Sequence, residues 1–263
     1  VSSHSAAYIG SIGSAKRVHA DFGSGLWDGA PIGIPITIVP AGTVPVHVAF
    51  DDAGESDKGP YAIPSNAQVE PGDGHVIAVA TGTCTDYELY DARKSAGGSW
   101  SAGSGAVFDL RSDALRPAGW TSADAAGLPI LPGLARYDEA ASGTIGHALR
   151  ITVPRTQSAY VWPARHEASS DGDASLPPMG LRLRLKASVD ISKLPLQARV
   201  VAQTLKTYGA IVADNGSSWY VSGAPDSRWD NDQLQALGQL TGADFEAVDV
   251  SGLQASSNSG AVK

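Results

Sequence analysis

Glycine and proline fall so often between short apolar runs that most of this chain has no room for a long helix or a long flat strand. The clearest case is GIPITIVPAGTVPVHVAF, residues 33–50, which carries no formal charge over 18 residues and contains three prolines. Its length suits a membrane span, but proline removes backbone donors and breaks helices. Alternation decides the matter: Ile34, Ile36 and Ile38 share one face, and Val44, Val46, Val48 and Phe50 share another. The stretch is expected to form two strands joined by a turn at PAGT. With 30 Gly, 16 Pro and 43% apolar residues in 263, the whole chain reads as a turn-rich β protein with a real core.

The same pattern continues. HVIAVATG, DYELYDARK and SWSAGSGAVFDL read as strands, with SAGG closing a hairpin, and HALRITVP, AYVWPARHEA and GLRLRLKAS resume the β pattern. A short helix is expected at SHSAAYIGSIG, capped by Ser3 or Ser5, and a long acidic loop over residues 51–74. After residue 189 the character changes. PLQARVVAQTLKTYG has helical spacing and ends at Gly209, DNDQLQALGQL is a second helix, and AIVAD, SWYVSG and FEAVDV are short strands. The expected architecture is mainly β: a jelly-roll-like β-sandwich over 1–189, an α/β appendage over 190–263 packed on it, and a loose tail from about residue 251.

A net charge of −8 argues against a nucleic-acid backbone or an anionic membrane surface as partner. Arg182, Arg184 and Lys186 alternate along one strand as a solvated face. Cys84 is the only cysteine, so no intrachain disulfide forms, and it reads as a small buried residue. No G-x-S-x-G elbow, P-loop, H-E-x-x-H or paired C-x-x-C occurs, so the common serine-hydrolase, nucleotide and zinc signatures are absent. DGDAS at Asp171 opens like a calcium loop, but Leu176 and Arg182 stand where Gly and Glu are required. No metal and no cofactor is expected.

Carboxylates and aromatics remain. On DYELYDAR, Glu88 and Tyr90 point away from Leu89, beside a strand that begins at Trp100. An acid flanked by aromatic rings suits a sugar-binding groove, where partial desolvation raises a carboxyl toward proton donation. GWTSADAAGLPILPGLARYDE, residues 119–139, has neither helical nor strand period, yet is too apolar for a linker. It is expected to be an ordered loop anchored by Leu128, Ile130, Leu131 and Leu134, walling the site and presenting Trp120 and Asp138 or Glu139. Glu88 as general acid and Asp138 as nucleophile or base would meet the two-carboxylate requirement of glycoside hydrolysis. Trp100, Trp120, Tyr90 and Trp162 would bind sugar, and Arg150 would neutralise a charged substrate. A rival set uses histidine: His147 and His166, with His75 or Glu88, would hold a metal, or act as base and neutraliser in a polysaccharide lyase, with His147 or Tyr90 taking the proton. His19 and Asp21 form another candidate pair.

The runs GWTSADAAGLPILPGLARYDE, HALRITVPRTQSAYVWPARHEAS, PPMGLRLRLKAS and TYGAIVADNGSSWYVSGAPDSRWD resemble an uncharacterised family of mostly secreted, β-rich proteins from soil bacteria. The resemblance covers most of the chain from about His19 to Asp249. It implies an extracytoplasmic, β-rich protein met beside polysaccharide-degrading machinery, and it implies no mechanism. The functional expectation is a glycoside hydrolase acting on a polysaccharide or oligosaccharide, with a polysaccharide lyase or a non-catalytic carbohydrate-binding module as alternatives.

Overall fold

The computed structural model describes residues Val1–Lys263. In chain order its strands are β1 (His19–Asp21), β2 (Leu26–Trp27), β3 (Ala30–Pro31), β4 (Ile36–Ile38), β5 (Val48–Phe50), β6 (Val76–Ala80), β7 (Thr85–Tyr90), β8 (Arg93–Lys94), β9 (Trp100–Ala102), β10 (Ser104–Asp109), β11 (Leu149–Val153), β12 (Arg182–Leu185), β13 (Ala210–Asn215), β14 (Tyr220–Ser222) and β15 (Phe245–Val248). The helices are α1 (Ser5–Ile12), α2 (Tyr137–Ala141), α3 (Leu196–Thr207) and α4 (Asn231–Gln235). The protein is therefore β-rich, and no helix is long and apolar enough to cross a membrane.

The strands form two principal sheets. The larger has the order β1-β14-β11-β13-β12-β15 and the other β10-β7-β6-β4; a three-stranded sheet β5-β9-β8 and the β2-β3 hairpin complete the set. Parallel pairs occur in three of the four, β1 with β14, β11 with β13, β4 with β6 and β5 with β9. A jelly roll is built of antiparallel sheets, so the mixed pairing differs from the expected sandwich. The boundary expected at 189/190 also needs correction. β1, β11 and β12 share one sheet with β13, β14 and β15, so backbone hydrogen bonding joins both sides of that boundary into one unit.

Alternation explains the large sheet. Leu149, Ile151 and Val153 of β11 are buried in a core of 36 residues, which also takes Val201 and Leu205 of α3 and Ile9 and Ile12 of α1. Helix α3 ends where Lys206 donates to the carbonyls of Ala187 and Val189. Gly209 follows at φ +72°, with its α-carbon so close to the Leu183 carbonyl that a Cβ would lie 2.4 Å from it. Helix α4 starts at Asp230, whose carboxylate accepts from the Gln233 N–H at 3.1 Å.

The second sheet has two apolar faces. Val76, Ala78 and Leu89 pack on Trp100 and Ala102 of the three-stranded sheet. Ile77 and Val79 meet Ile130 and Leu134 of the 119–139 loop together with Ile34. The loop is thus a filling layer between the principal sheets. It is apolar because its residues are buried, and irregular because it fits two surfaces of different shape. Gly127, at φ +68°, allows its tight turn, since a Cβ there would lie 2.5 Å from the Trp120 carbonyl.

Four local expectations fail for identifiable reasons. The segments 34–39 and 44–50 do not pair with each other: β4 joins β6 and β5 joins β9, because each apolar face finds a larger partner than its neighbour in sequence. AYVWPARHEA makes a single bridge, Tyr160 with Met179, and is otherwise irregular. The chain end is docked rather than loose: the Trp162 indole donates to the Ser259 carbonyl at 2.8 Å, and Arg165 donates to the Ser257 carbonyl at 2.7 Å. Cys84 is half-buried in the β6–β7 turn at φ +52° and is not a core residue.

Candidate functional site

The face of the large sheet opposite the α3 core is polar over four adjacent strands. Registers place His19 beside Tyr220 and Asp21 beside Ser222, while Thr152 lies between Tyr220 and Asp214. Asp214 reaches this face through an irregularity. Ile151 pairs with Val212 but Thr152 pairs with Asp214, so Ala213 is the extra residue of a β-bulge. Strict alternation from Val212 would have turned Asp214 to the other face; the bulge re-aims it.

Arg150 lies at the centre, 6% exposed. Its Nη2 donates to Asp214 at 2.8 Å and to Asp124 at 3.1 Å, and its Nη1 donates to the Ser222 hydroxyl at 2.9 Å. Burial works against its charge, but Asp124 and Asp214 outweigh burial and hold the guanidinium more firmly protonated than usual. Burial pushes the Asp124 carboxyl up to about 6, against the pull of Arg150.

The opposite wall comes from the turn before β6 and from the 119–139 loop. A cavity of about 230 Å³ is bordered by Asp21, Glu70, Asp73, His75, Arg150 and Asp214, among others. A second, of about 390 Å³, shares Asp73, Asp214 and Asn215 with the first and adds Asp52, Glu55, Tyr90, Asp124 and His166. Together they form one polar cleft in the size range of ligand pockets. His75 is 2% exposed. Its Nδ1 meets Glu70 at 2.5 Å, and its Nε2 has no partner in the protein. Burial alone would favour the neutral ring, but the hydrogen bond and charge of Glu70 leave the imidazole more basic than usual. Asp21 is exposed as a residue, but partial burial of its carboxyl among the cleft groups raises it above the ordinary range; Glu70 and Asp73 add to this, while His19 and Arg150 oppose it.

Of the residues singled out from sequence, Asp21, His75, Tyr90, Arg150 and His166 border this cleft. His166 is fixed by a contact of Nδ1 with the Ala125 carbonyl at 2.9 Å. Loop residues Thr121–Ala125 form part of the wall. The expected centre, an open hollow around Glu88, needs correction. Glu88 is fully buried, and its carboxyl accepts the N–H groups of Ile130 and Leu131, each at 2.8 Å, under the loop. Asp86, two residues earlier on β7, is equally buried and has no cation near it. Burial and the neighbouring Asp86 push the Glu88 carboxyl well above the ordinary range, and burial lifts Asp86 to about 6. Glu88 anchors the loop and does not face a ligand.

The other expected partners are also elsewhere. Asp138 is exposed and paired with Arg228 at 2.7 Å. His147 sits beside Glu139 at 3.3 Å and Arg136 at 3.3 Å, on the α2 side and apart from His166. Trp100 is buried in the second core. Trp120 is half-buried with the Arg116 guanidinium 5.6 Å from its ring centre. Trp162 ties down the chain end.

Sequence reasoning missed Glu70, Asp73, Asp124 and Asp214 and gave His75 only a supporting place. Three of these lie in EPGDGH, residues 70–75, where three ionisable groups crowd a glycine turn and read as a solvated loop. No known protein family, curated protein or solved structure matches this chain.

Proposed function

We propose that this chain is an extracytoplasmic carbohydrate-active enzyme, a glycoside hydrolase whose two carboxylates lie in the cleft between the principal sheets. The observation that carries this reading is the presence of Asp21 and Asp214 on one polar face, bordering the same cavity. Asp21 has a raised carboxyl that solvent reaches; Asp214 is held in place by Arg150. That division is what acid–base glycoside cleavage needs. Asp21 donates its proton to the glycosidic oxygen as the bond from that oxygen to the anomeric carbon breaks. Asp214 takes a proton from water as the water oxygen bonds to that carbon. One water is consumed, and proton exchange with solvent resets both groups. The Glu70–His75 pair and the hydroxyls of Tyr220 and Ser222 supply hydrogen bonds to a polyhydroxylated ligand, and Tyr90 supplies a ring face. The location outside the cytoplasm rests on the family resemblance alone.

The acidity of the cleft weighs against the lyase alternative. A uronic-acid polymer brings carboxylates into a site where Arg150 is already shared by Asp124 and Asp214. The test is a panel of neutral, amino and uronic polysaccharides with product analysis. New reducing ends without ultraviolet-absorbing unsaturated products support the reading. Unsaturated products, or retardation in polysaccharide gels with no product at all, would replace it by the lyase or the binding module.

A further inference from the structure

The charge of the cleft selects among sugars. Asp21, Asp52 and Asp73 border it, and none has a basic side chain within ion-pairing distance, whereas Glu70, Asp124 and Asp214 are matched internally by His75 and Arg150. The three unmatched groups are spread along the cleft: Asp21 on the first cavity, Asp52 on the second, Asp73 on both. Nowhere do three acidic, histidine or cysteine side chains converge to hold a metal ion. Distributed, unmatched carboxylates are served poorly by one small cation and well by a chain that repeats its positive charge.

A second observation points to a ligand independently. His75 Nε2 and Asn215 Oδ1 are both buried, both belong to residues bordering the cleft, and neither has a hydrogen-bond partner in the protein. Buried polar atoms without partners are uncommon because each costs free energy. The Glu70–His75 pair is neutral overall when the ring is protonated, so Nε2 then donates to a hydroxyl oxygen without adding net positive charge to the cleft. Asn215 Oδ1 accepts from a hydroxyl or an ammonium group. Hydroxyls and ammonium groups on one molecule describe an amino sugar.

We infer that the substrate is an oligomer of a 2-amino-2-deoxy sugar with free amines, its ammonium groups matched by Asp52 and Asp73 and its hydroxyls by His75 and Asn215, while Asp21 keeps its proton for the leaving oxygen. This inference rests on the hydrolase reading for the fate of the substrate, but not for its binding.

The test compares glucosamine oligomers with their N-acetylated counterparts, with a neutral glucan oligomer and with oligolysine, by calorimetric binding and by reducing-end release on the full chain. The expected result is that the free-amine oligomer binds at least about tenfold more tightly than the acetylated one, and that the advantage shrinks at about 0.5 M salt. Asp73→Asn is expected to cut the amine-over-acetyl ratio by about threefold or more. If that variant does not fold, the salt dependence of the wild type still decides the matter. Equal or better binding and cleavage of the acetylated or neutral oligomer would overturn the inference and leave the hydrolase reading standing. Tight binding of the amine oligomer without cleavage would support the inference and overturn the hydrolase reading. Oligolysine bound as tightly as the amino sugar would overturn the sugar assignment, and no binding of any sugar would overturn both.

Discussion

Replacing Glu88 in two ways separates its role as an anchor from any role in chemistry. Its carboxyl receives two buried backbone N–H groups, from Ile130 and Leu131, each at 2.8 Å, and lies against Asp86. In Glu88→Ala both donors lose their acceptor in a dry site. Each unsatisfied group costs about 1–3 kcal/mol, and the lost Cγ methylene and carboxyl leave a void between β7 and the loop. The expected loss is about 3–6 kcal/mol, a large share of the stability of a domain this size. Glu88→Gln is different: its carbonyl accepts the same N–H groups, its side chain keeps nearly the same volume, and it places no charge beside Asp86. The expected loss is under about 1 kcal/mol. Urea unfolding near pH 6.5, followed by tryptophan fluorescence, measures both. Equal destabilisation by the two substitutions, or a near-neutral Glu88→Ala, would refute the hydrogen-bonded anchor.

Other outcomes follow from the same geometry. Asp86 rises from an ordinary 3.8 to about 6 in the folded chain, so its contribution is fully present below 3.8 and is lost as the pH climbs to about 6. In the Glu88→Gln background, adding Asp86→Asn should therefore remove about 2 kcal/mol of pH-dependent stability loss between pH 4 and 6.5, read from unfolding midpoints at those two values; parallel curves would refute it. Arg150→Met leaves Asp124 and Asp214 uncompensated in a buried site and should cost about 3–5 kcal/mol, seen as a fall in Tm. Trp162→Phe removes the indole bond to Ser259 and should speed proteolysis within residues 251–263 without changing the rest of the digest.

The sequence made some of this legible and hid the rest for physical reasons. β7, β11, β12 and α3 follow from period, because each has one clear apolar face, and β6 follows from its unbroken apolar run, because it is buried on both faces. Their partners do not: β4 and β5 each lie parallel to a distant strand, and nothing local distinguishes that from a hairpin. The loop at 119–139 was readable as ordered because it is too apolar to be free. Its burial on both sides was not, and that burial removes Glu88 from any ligand. Arg150 was readable as a cation on a β strand, but its partners Asp124 and Asp214 come from a loop and from a bulge, and alternation places Asp214 on the wrong face. The acidic segment 51–74 looks like a solvated turn until its carboxylates are seen to border a cleft.

The most direct measurement is reducing-end release from the best substrate of the panel by the wild type, Asp21→Asn and Glu88→Gln side by side. A chemical centre in the cleft predicts that Asp21→Asn loses at least about 100-fold in kcat while Glu88→Gln stays close to the wild type. Retained activity in Asp21→Asn with loss in a folded Glu88→Gln would contradict that centre and return the chemistry to the strand beneath the loop.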